Sequence, residues 1–129
     1  MNKIEKSRIE HFLHEYHTWE RTLDFFRTEN AYLKTRLSAF LDNDSHNNFL
    51  QTAENYQNQF LQIDELAKNL KHQVVEMEMW AEQRKNKKDK IAFAEIESKQ
   101  KKVRLAIERL EVDFLKLKNE FNTYLEEAL

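Results

Sequence analysis

A group of potential metal ligands lies near the N-terminus of the chain. Zinc and nickel accept imidazole and carboxylate ligands, and two histidines three residues apart on a helix can share one ion. A helix turns about 100° per residue, so His14 and His17 lie about 60° and about 120° from His11, and one ion cannot face all three. We interpret the histidines as part of a solvated outer face and predict no metal and no cofactor. The group comprises His11, His14 and His17 with Glu10, Glu15 and Glu20.

The spacing of histidine and glutamate also argues against a di-iron centre. Ferritin-like sites use Glu-x-x-His pairs that face the interior of a helical bundle. None of the five histidines has a glutamate three residues before it. The pairs His11/Glu15 and His72/Glu76 are four residues apart, which suits one helix face, but both pairs point away from the apolar positions.

Nucleophilic catalysis has no support in the sequence. The chain has no cysteine, so it offers no thiol nucleophile, thiolate ligand or disulfide. The few serines are not framed by the glycines that shape the strand-to-helix elbow of a serine hydrolase. We therefore predict a protein that is not an enzyme.

Charge is distributed unevenly along the chain. Residues 84–104 carry nine basic residues against three acidic ones, a net charge of +6, and residues 1–10 add +1. Because the whole chain carries −2, the remaining residues carry −9. A basic segment of this kind can dock on nucleic acid, an acidic protein or a phospholipid surface. It lacks the interleaved aromatic residues and glycines of many nucleic-acid-binding surfaces, so we keep anion docking as an alternative function. Its candidate residues are Arg84, Lys85, Lys87, Lys88, Lys90, Lys99, Lys101, Lys102 and Arg104.

The composition favours a helical fold. The 129 residues include no glycine and no proline, whereas ordinary domains contain about 7% and about 5%. Tight hairpins and phosphate-binding loops usually need glycine, so β-rich and nucleotide-binding α/β folds are disfavoured. The N-terminus lacks the apolar region of a signal peptide, and no apolar run reaches the length of about 18 residues that a membrane span needs. We expect one soluble, cytoplasmic domain over residues 1–129.

Three amphipathic helices must position these residues. In residues 9–40, large apolar side chains recur in steps of three and four, with Asn30 in the one position that interrupts the series. Only a helix brings such a heptad pattern onto one face, so we predict a first helix over about residues 3–41. A turn should follow, in which Asn43 ends the helix and Asp44 or Ser45 caps the next one.

The pattern recurs twice along the chain, each time in a new phase, and we call each of the three series of apolar positions a seam. The second seam predicts a helix over about residues 46–84, and the third predicts one over about residues 89–127. Extending the second seam in register would bury polar residues at three of its next four positions. We therefore place a second turn at residues 86–89, with Asn86 in a left-handed conformation and Asp89 as the cap of the third helix.

Short connections predict an antiparallel, up-down-up, all-α bundle of three long heptad helices. In this register the second helix places an alanine opposite large side chains of the other two helices every 14 residues, as in the layer Leu23, Ala67 and Ile107. Such alternation of large and small side chains is what close packing requires. The layout is similar in architecture to spectrin-type repeats, and this likeness of fold implies no function.

Three polar residues should be buried in this core. Gln100 falls level with Tyr16, whose hydroxyl could be its hydrogen-bond partner. Asn30 falls level with Phe60 and Phe114 and has no evident partner in the sequence. It could fix the register at some cost in stability, reach water at the edge of the seam, or line a polar ligand pocket.

Apolar residues outside the seams point to the function that we favour. Stripes at heptad spacing on an outer face indicate contact with a second copy or a partner helix, although a broad helix face would also produce them. The leading hypothesis is a structural or protein–protein interaction module that forms a homo-oligomer. The candidate contact residues are Phe25, Tyr32, Leu105, Val112 and Leu115.

Overall fold

A computed structural model describes residues 2–42, 49–85 and 93–128 of the chain. These residues form three long α-helices and no strand: α1 (Lys3–Leu41), α2 (Leu50–Arg84) and α3 (Phe93–Ala128). The helices pack as an all-α three-helix bundle, as the heptad pattern predicts. The bounds of α1 match the predicted residues 3–41 at both ends.

The start of α1 has a side-chain cap. Asn2 has extended backbone, and its Oδ1 accepts a hydrogen bond from the backbone N–H of Glu5 at 2.8 Å. This bond satisfies one of the amides that the first turn of a helix leaves without a partner. The carboxylate of Glu5 also lies where the helix dipole favours negative charge.

The predicted start of α2 at residue 46 lies outside the described residues, and within them the α-helix begins at Leu50. The residue before it, Phe49, has a non-helical backbone with φ −105° and ψ 10°. Its ring packs against the rings of Phe40 and Tyr124, with centroids 6.3 Å and 6.0 Å apart, and this aromatic contact positions the entry to α2.

Five residues expected to shape the turns, together with the predicted start of α3 at residue 89, lie outside the described residues. These five are Asn43, Asp44, Ser45, Asn86 and Asp89.

The predicted seams form the core of the bundle. Every seam residue of the three helices is buried or half-buried. The alanines of α2, Ala53, Ala67 and Ala81, are fully buried. Small side chains allow two backbones to approach closely, and α1 and α2 are accordingly the most closely packed pair of helices.

Contacts across the bundle confirm the up-down-up register. His17 of α1 pairs with Glu78 of α2 at 3.0 Å and Asp24 pairs with Lys71 at 2.6 Å, so later residues of α1 meet earlier residues of α2 and these helices run antiparallel. Arg8 of α1 pairs with Glu97 of α3 and the rings of Phe26 and Phe114 lie 5.5 Å apart, so α1 and α3 run parallel, with an offset about one helical turn from that of the predicted layers. The order and direction of the helices are therefore the predicted ones.

No helix within the three described ranges combines the length and the apolar content that crossing a membrane requires.

Candidate functional site

Five apolar residues outside the seams of α1 and α3 are exposed, and we call the surface at the boundary of the two helices, which carries Phe25, Tyr32 and Leu115, the α1–α3 face. Phe25 and Tyr32 are 57% and 60% exposed, and Leu105, Val112 and Leu115 are 54%, 60% and 46% exposed. Scattered exposed apolar residues are normal, but five large ones on two neighbouring helices are a candidate contact surface.

Ion pairs between the two helices define the position of this face. Glu29 of α1 pairs with Lys118 of α3 at 3.6 Å, so these two residues mark the flanks along which the helices meet. Phe25 and Tyr32 lie four residues before and three residues after Glu29, and Leu115 lies three residues before Lys118. Because residues three or four apart share a helix face, all three side chains border the α1–α3 boundary.

Other exposed apolar residues lie elsewhere on the bundle. Leu61 of α2 is exposed and Val75 is half-buried, although the heptad phase places both on an outer surface. Four further apolar residues are exposed but are not spaced at heptad intervals in the sequence, namely Ile4, Leu50, Leu66 and Met79.

The basic residues gather at one end of the bundle, which we call the basic pole. There the end of α2 meets the starts of α1 and α3, and several arginines contact neighbouring side chains. Arg104 pairs with Glu15 at 3.2 Å, Arg8 pairs with Glu97, and the guanidinium of Arg84 lies 4.5 Å from the ring centroid of Trp80.

The lysines of the basic pole differ from its arginines. Within the described part of the chain, four of them form no ion pair, and three of these four are exposed. The four are Lys85, Lys99, Lys101 and Lys102. Lys87, Lys88 and Lys90 lie outside the described residues.

The opposite end of the bundle is acidic. The sequence has no lysine or arginine between Arg36 and Lys68, and none after Lys118. The ring of Phe40 lies 5.8 Å from that of Tyr124, so the end of α1 and the end of α3 meet at this pole. Its described acidic residues are Asp42, Glu54, Glu120, Glu126 and Glu127.

The buried Asn30 has two partners that the sequence pattern did not indicate. Its Nδ2 donates to the backbone oxygen of Phe60 at 2.8 Å and to Oδ1 of Asp64 at 2.7 Å. Asp64 also pairs with Lys34. Asn30 thus joins α1 to α2 at one level, which agrees with a role in fixing the register, whereas its buried Oδ1 has no partner among the described residues.

The predicted hydrogen bond between Tyr16 and Gln100 is wrong. Both residues are buried, but the amide of Gln100 donates to a carboxylate oxygen of Glu15, which also pairs with Arg104. A carboxylate is a stronger acceptor than a phenol oxygen, and Glu15 lies on the flank of α1 that faces α3. The hydroxyl of Tyr16 has no partner among the described residues, and burial together with the charge of Glu15 raises the pKa of Tyr16 to about 12.

A groove of about 480 Å³ runs between α2 and α3 above Tyr16. Met77 and Trp80 of α2 and Ile96 and Val103 of α3 form its apolar walls. Tyr16 lines the base of the groove, and its side chain has no exposed surface. We assign this groove no ligand.

A cluster of metal-ligating side chains bridges α1 and α2 on a different flank. His17 Nε2 lies 3.0 Å from Oε1 of Glu78, and a carboxyl oxygen of Glu20 lies close to both side chains. One ligand atom from each of the three residues lies within 4.8 Å of the other two.

Burial, followed by the hydrogen bond to Glu78 and its charge, raises the pKa of Glu20, while His17 and Lys71 lower it in part. The other two histidines near the N-terminus, His11 and His14, which we interpreted as part of a solvated face, are exposed and lie outside this cluster.

Comparison of the chain with protein families, with curated proteins and with solved structures finds no match.

Proposed function

We propose that the chain is a non-enzymatic self-association module, in which the α1–α3 face of one copy packs on the same face of a second copy. The exposure of Phe25 and Tyr32, one heptad apart at the boundary that the exposed Leu115 of α3 also borders, is the observation that carries this proposal. Burial of large aromatic and aliphatic side chains supplies most of the favourable free energy in protein association. A contact that uses the same patch on both copies also closes on itself as a dimer.

The two charged poles support a second copy as the occupant, and they set its direction. In a parallel pair, basic pole would lie beside basic pole and acidic pole beside acidic pole, which is repulsive. In an antiparallel pair each basic pole lies beside an acidic one. Because α1 has 39 residues and is about 58 Å long, side-by-side packing brings both poles of each copy into such contact.

The test of the proposal is the oligomeric state of two matched double variants. Phe25→Ser with Tyr32→Ser removes aromatic surface from the α1–α3 face, and Leu61→Ser with Met79→Ser removes a similarly exposed pair from α2. In sedimentation equilibrium we expect a dimer for the wild type and for the α2 variant, and a monomer for the α1 variant.

Circular dichroism checks that both variants keep their helical content. A wild-type chain that stays monomeric at several hundred micromolar would contradict self-association. Equal dimerisation of the two variants would instead place the contact on another surface.

Fluorescence transfer tests the direction of packing. Since the chain contains no cysteine, single labels at Ser7→Cys and Ser38→Cys are specific. These positions lie about 46 Å apart along α1. An antiparallel dimer brings Ser7 of one copy towards Ser38 of the other, so mixed Ser7/Ser38 pairs should transfer more efficiently than Ser7/Ser7 pairs. The reverse order would indicate parallel packing.

A second candidate function is docking of an anionic surface on the basic pole. The observation in its favour is that the exposed Lys99, Lys101 and Lys102 form no ion pair within the described part of the chain. Binding to duplex DNA or to anionic vesicles should then weaken with salt and disappear when Lys101 and Lys102 are changed to glutamate. Absence of binding at low salt would eliminate this function.

A further inference from the structure

We propose that His17, Glu20 and Glu78 form a zinc site that bridges α1 and α2. The three side chains offer one imidazole nitrogen and two carboxylate groups, a donor set that zinc accepts. Their ligand atoms already lie within 4.8 Å of one another, and two of them, His17 Nε2 and Glu78 Oε1, are 3.0 Å apart. Zinc bonds of about 2.1 Å in tetrahedral geometry require donors about 3.4 Å apart, so small rotations of the two glutamate side chains complete the set.

The arrangement of the two helices makes this cluster differ from the other histidine pairs. His17 and Glu20 lie three residues apart on one flank of α1, and the antiparallel register adds Glu78 from α2. By contrast, His11/Glu15 and His72/Glu76 are pairs within one helix, with atoms 3.6 Å and 3.0 Å apart. Three ligands from two rigid helices hold an ion in a defined position, which an exposed pair on one helix does not.

Charge at the cluster also favours a cation. One carboxyl oxygen of Glu20 and one of Glu78 lie within 4.8 Å of each other. The nearest lysine, Lys71, forms an ion pair with Asp24 at 2.6 Å, so it only partly balances the two glutamates. A divalent ion would balance both carboxylates at once. The side chain of His17 is 48% exposed, so an ion reaches the site from solvent without opening the core, and water can complete the coordination.

Titration of the full-length, tag-free protein with zinc chloride tests this site, with isothermal calorimetry and thermal unfolding as two readouts. We expect one strong site per chain and a rise in unfolding temperature on saturation, because the ion binds the folded state. His17→Ala and Glu78→Gln should each weaken binding by about tenfold or more.

His14→Ala is the matched control, since His14 is an exposed histidine of α1 outside the cluster, and it should bind as the wild type does. Cobalt substitution adds a spectroscopic check, because its visible absorption reports ligand number. Either of two results would overturn the proposal: no saturable zinc binding at about 100 µM, or binding that survives His17→Ala and is lost in His14→Ala or His72→Ala.

Discussion

Replacing Asn30 with aspartate keeps the shape of the side chain but turns its hydrogen-bond donor into an acceptor. In the wild type, Nδ2 of Asn30 donates to the backbone oxygen of Phe60 and to a carboxylate oxygen of Asp64. In Asn30→Asp, an oxygen would face both of these oxygens. The new carboxylate would also be fully buried, since Asn30 has 0% exposure, and it would face the carboxylate of Asp64, which already pairs with the nearby Lys34.

The size of the effect follows from these contacts. The bond to the Phe60 carbonyl contributes about 1 kcal/mol, and the charge-assisted bond to Asp64 contributes about 2 kcal/mol. Adding a buried charge beside a carboxylate that already pairs with the one nearby lysine leaves it without a cation of its own, which costs about 3–5 kcal/mol in all, and this figure includes the lost bonds. We expect Asn30→Asp to lower the free energy of unfolding by about 3–5 kcal/mol, a large fraction of the about 5–15 kcal/mol that holds a typical domain.

Urea unfolding followed by circular dichroism at 222 nm measures this loss. Asn58→Asp makes the same chemical change at an exposed position of α2 and should alter stability by less than about 0.5 kcal/mol. The double variant Asn30→Asp with Asp64→Asn exchanges donor and acceptor across the pair. It should recover roughly half of the loss, because one hydrogen bond is restored while the contact with Phe60 stays unfavourable.

Two outcomes would refute this reasoning. One is an Asn30→Asp variant within about 1 kcal/mol of the wild type, which would mean that the side chain reaches water. The other is a double variant no more stable than Asn30→Asp alone, which would mean that Asp64 is not the partner.

Three further predictions concern buried groups. Tyr16→Phe should leave stability unchanged or raise it by about 1 kcal/mol, since the hydroxyl has no partner among the described residues, and a lower urea midpoint would contradict this. Ala67→Leu should lower stability by about 1–3 kcal/mol by overpacking the α1–α2 contact, whereas Ala31→Leu at an exposed position should not. Equal urea midpoints for these two variants would contradict the tight fit. Burial and Tyr56 raise the pKa of Tyr124 above the ordinary value of 10.0, so the folded state keeps this proton at a pH where the unfolded state loses it. The resulting stability is complete below the pKa of the unfolded state and is lost as pH rises through the pKa of the folded state. Tyr124→Phe should therefore flatten the fall in unfolding temperature between about pH 9 and about pH 11. Parallel curves for the wild type and the variant would contradict the shift.

The heptad pattern predicted the parts of the fold that depend on apolar spacing. The bounds of α1 follow from such spacing, and the register follows, to within about one helical turn, from the opposition of alanines to large residues. These features are set by the volumes of side chains that meet at the centre of the bundle. A volume is a property of the residue type, so it can be read from the sequence.

The polar contacts could not be predicted in the same way. Asp64, the partner of Asn30, lies on the flank of α2, one turn beyond the level at which the seams place Asn30. The same displacement brings Glu78 to His17. Long polar side chains reach a full turn along a helix, so several partners are compatible with one register. The sequence alone does not show which of them forms the contact. A search of the flanks one turn beyond each layer would have suggested both pairs.

The close approach of α1 and α2 has a consequence for how the protein opens. Three fully buried alanines let these two backbones lie near each other, whereas α3 meets its neighbours through bulky side chains and ion pairs. In amide hydrogen exchange, the α1–α2 hairpin should behave as one cooperative unit with the slowest exchange, and α3 should exchange through openings of lower free energy. The zinc site proposed above would join the two helices of that slow unit, so the ion would slow exchange in α1 and α2 and leave the opening of α3 nearly unchanged.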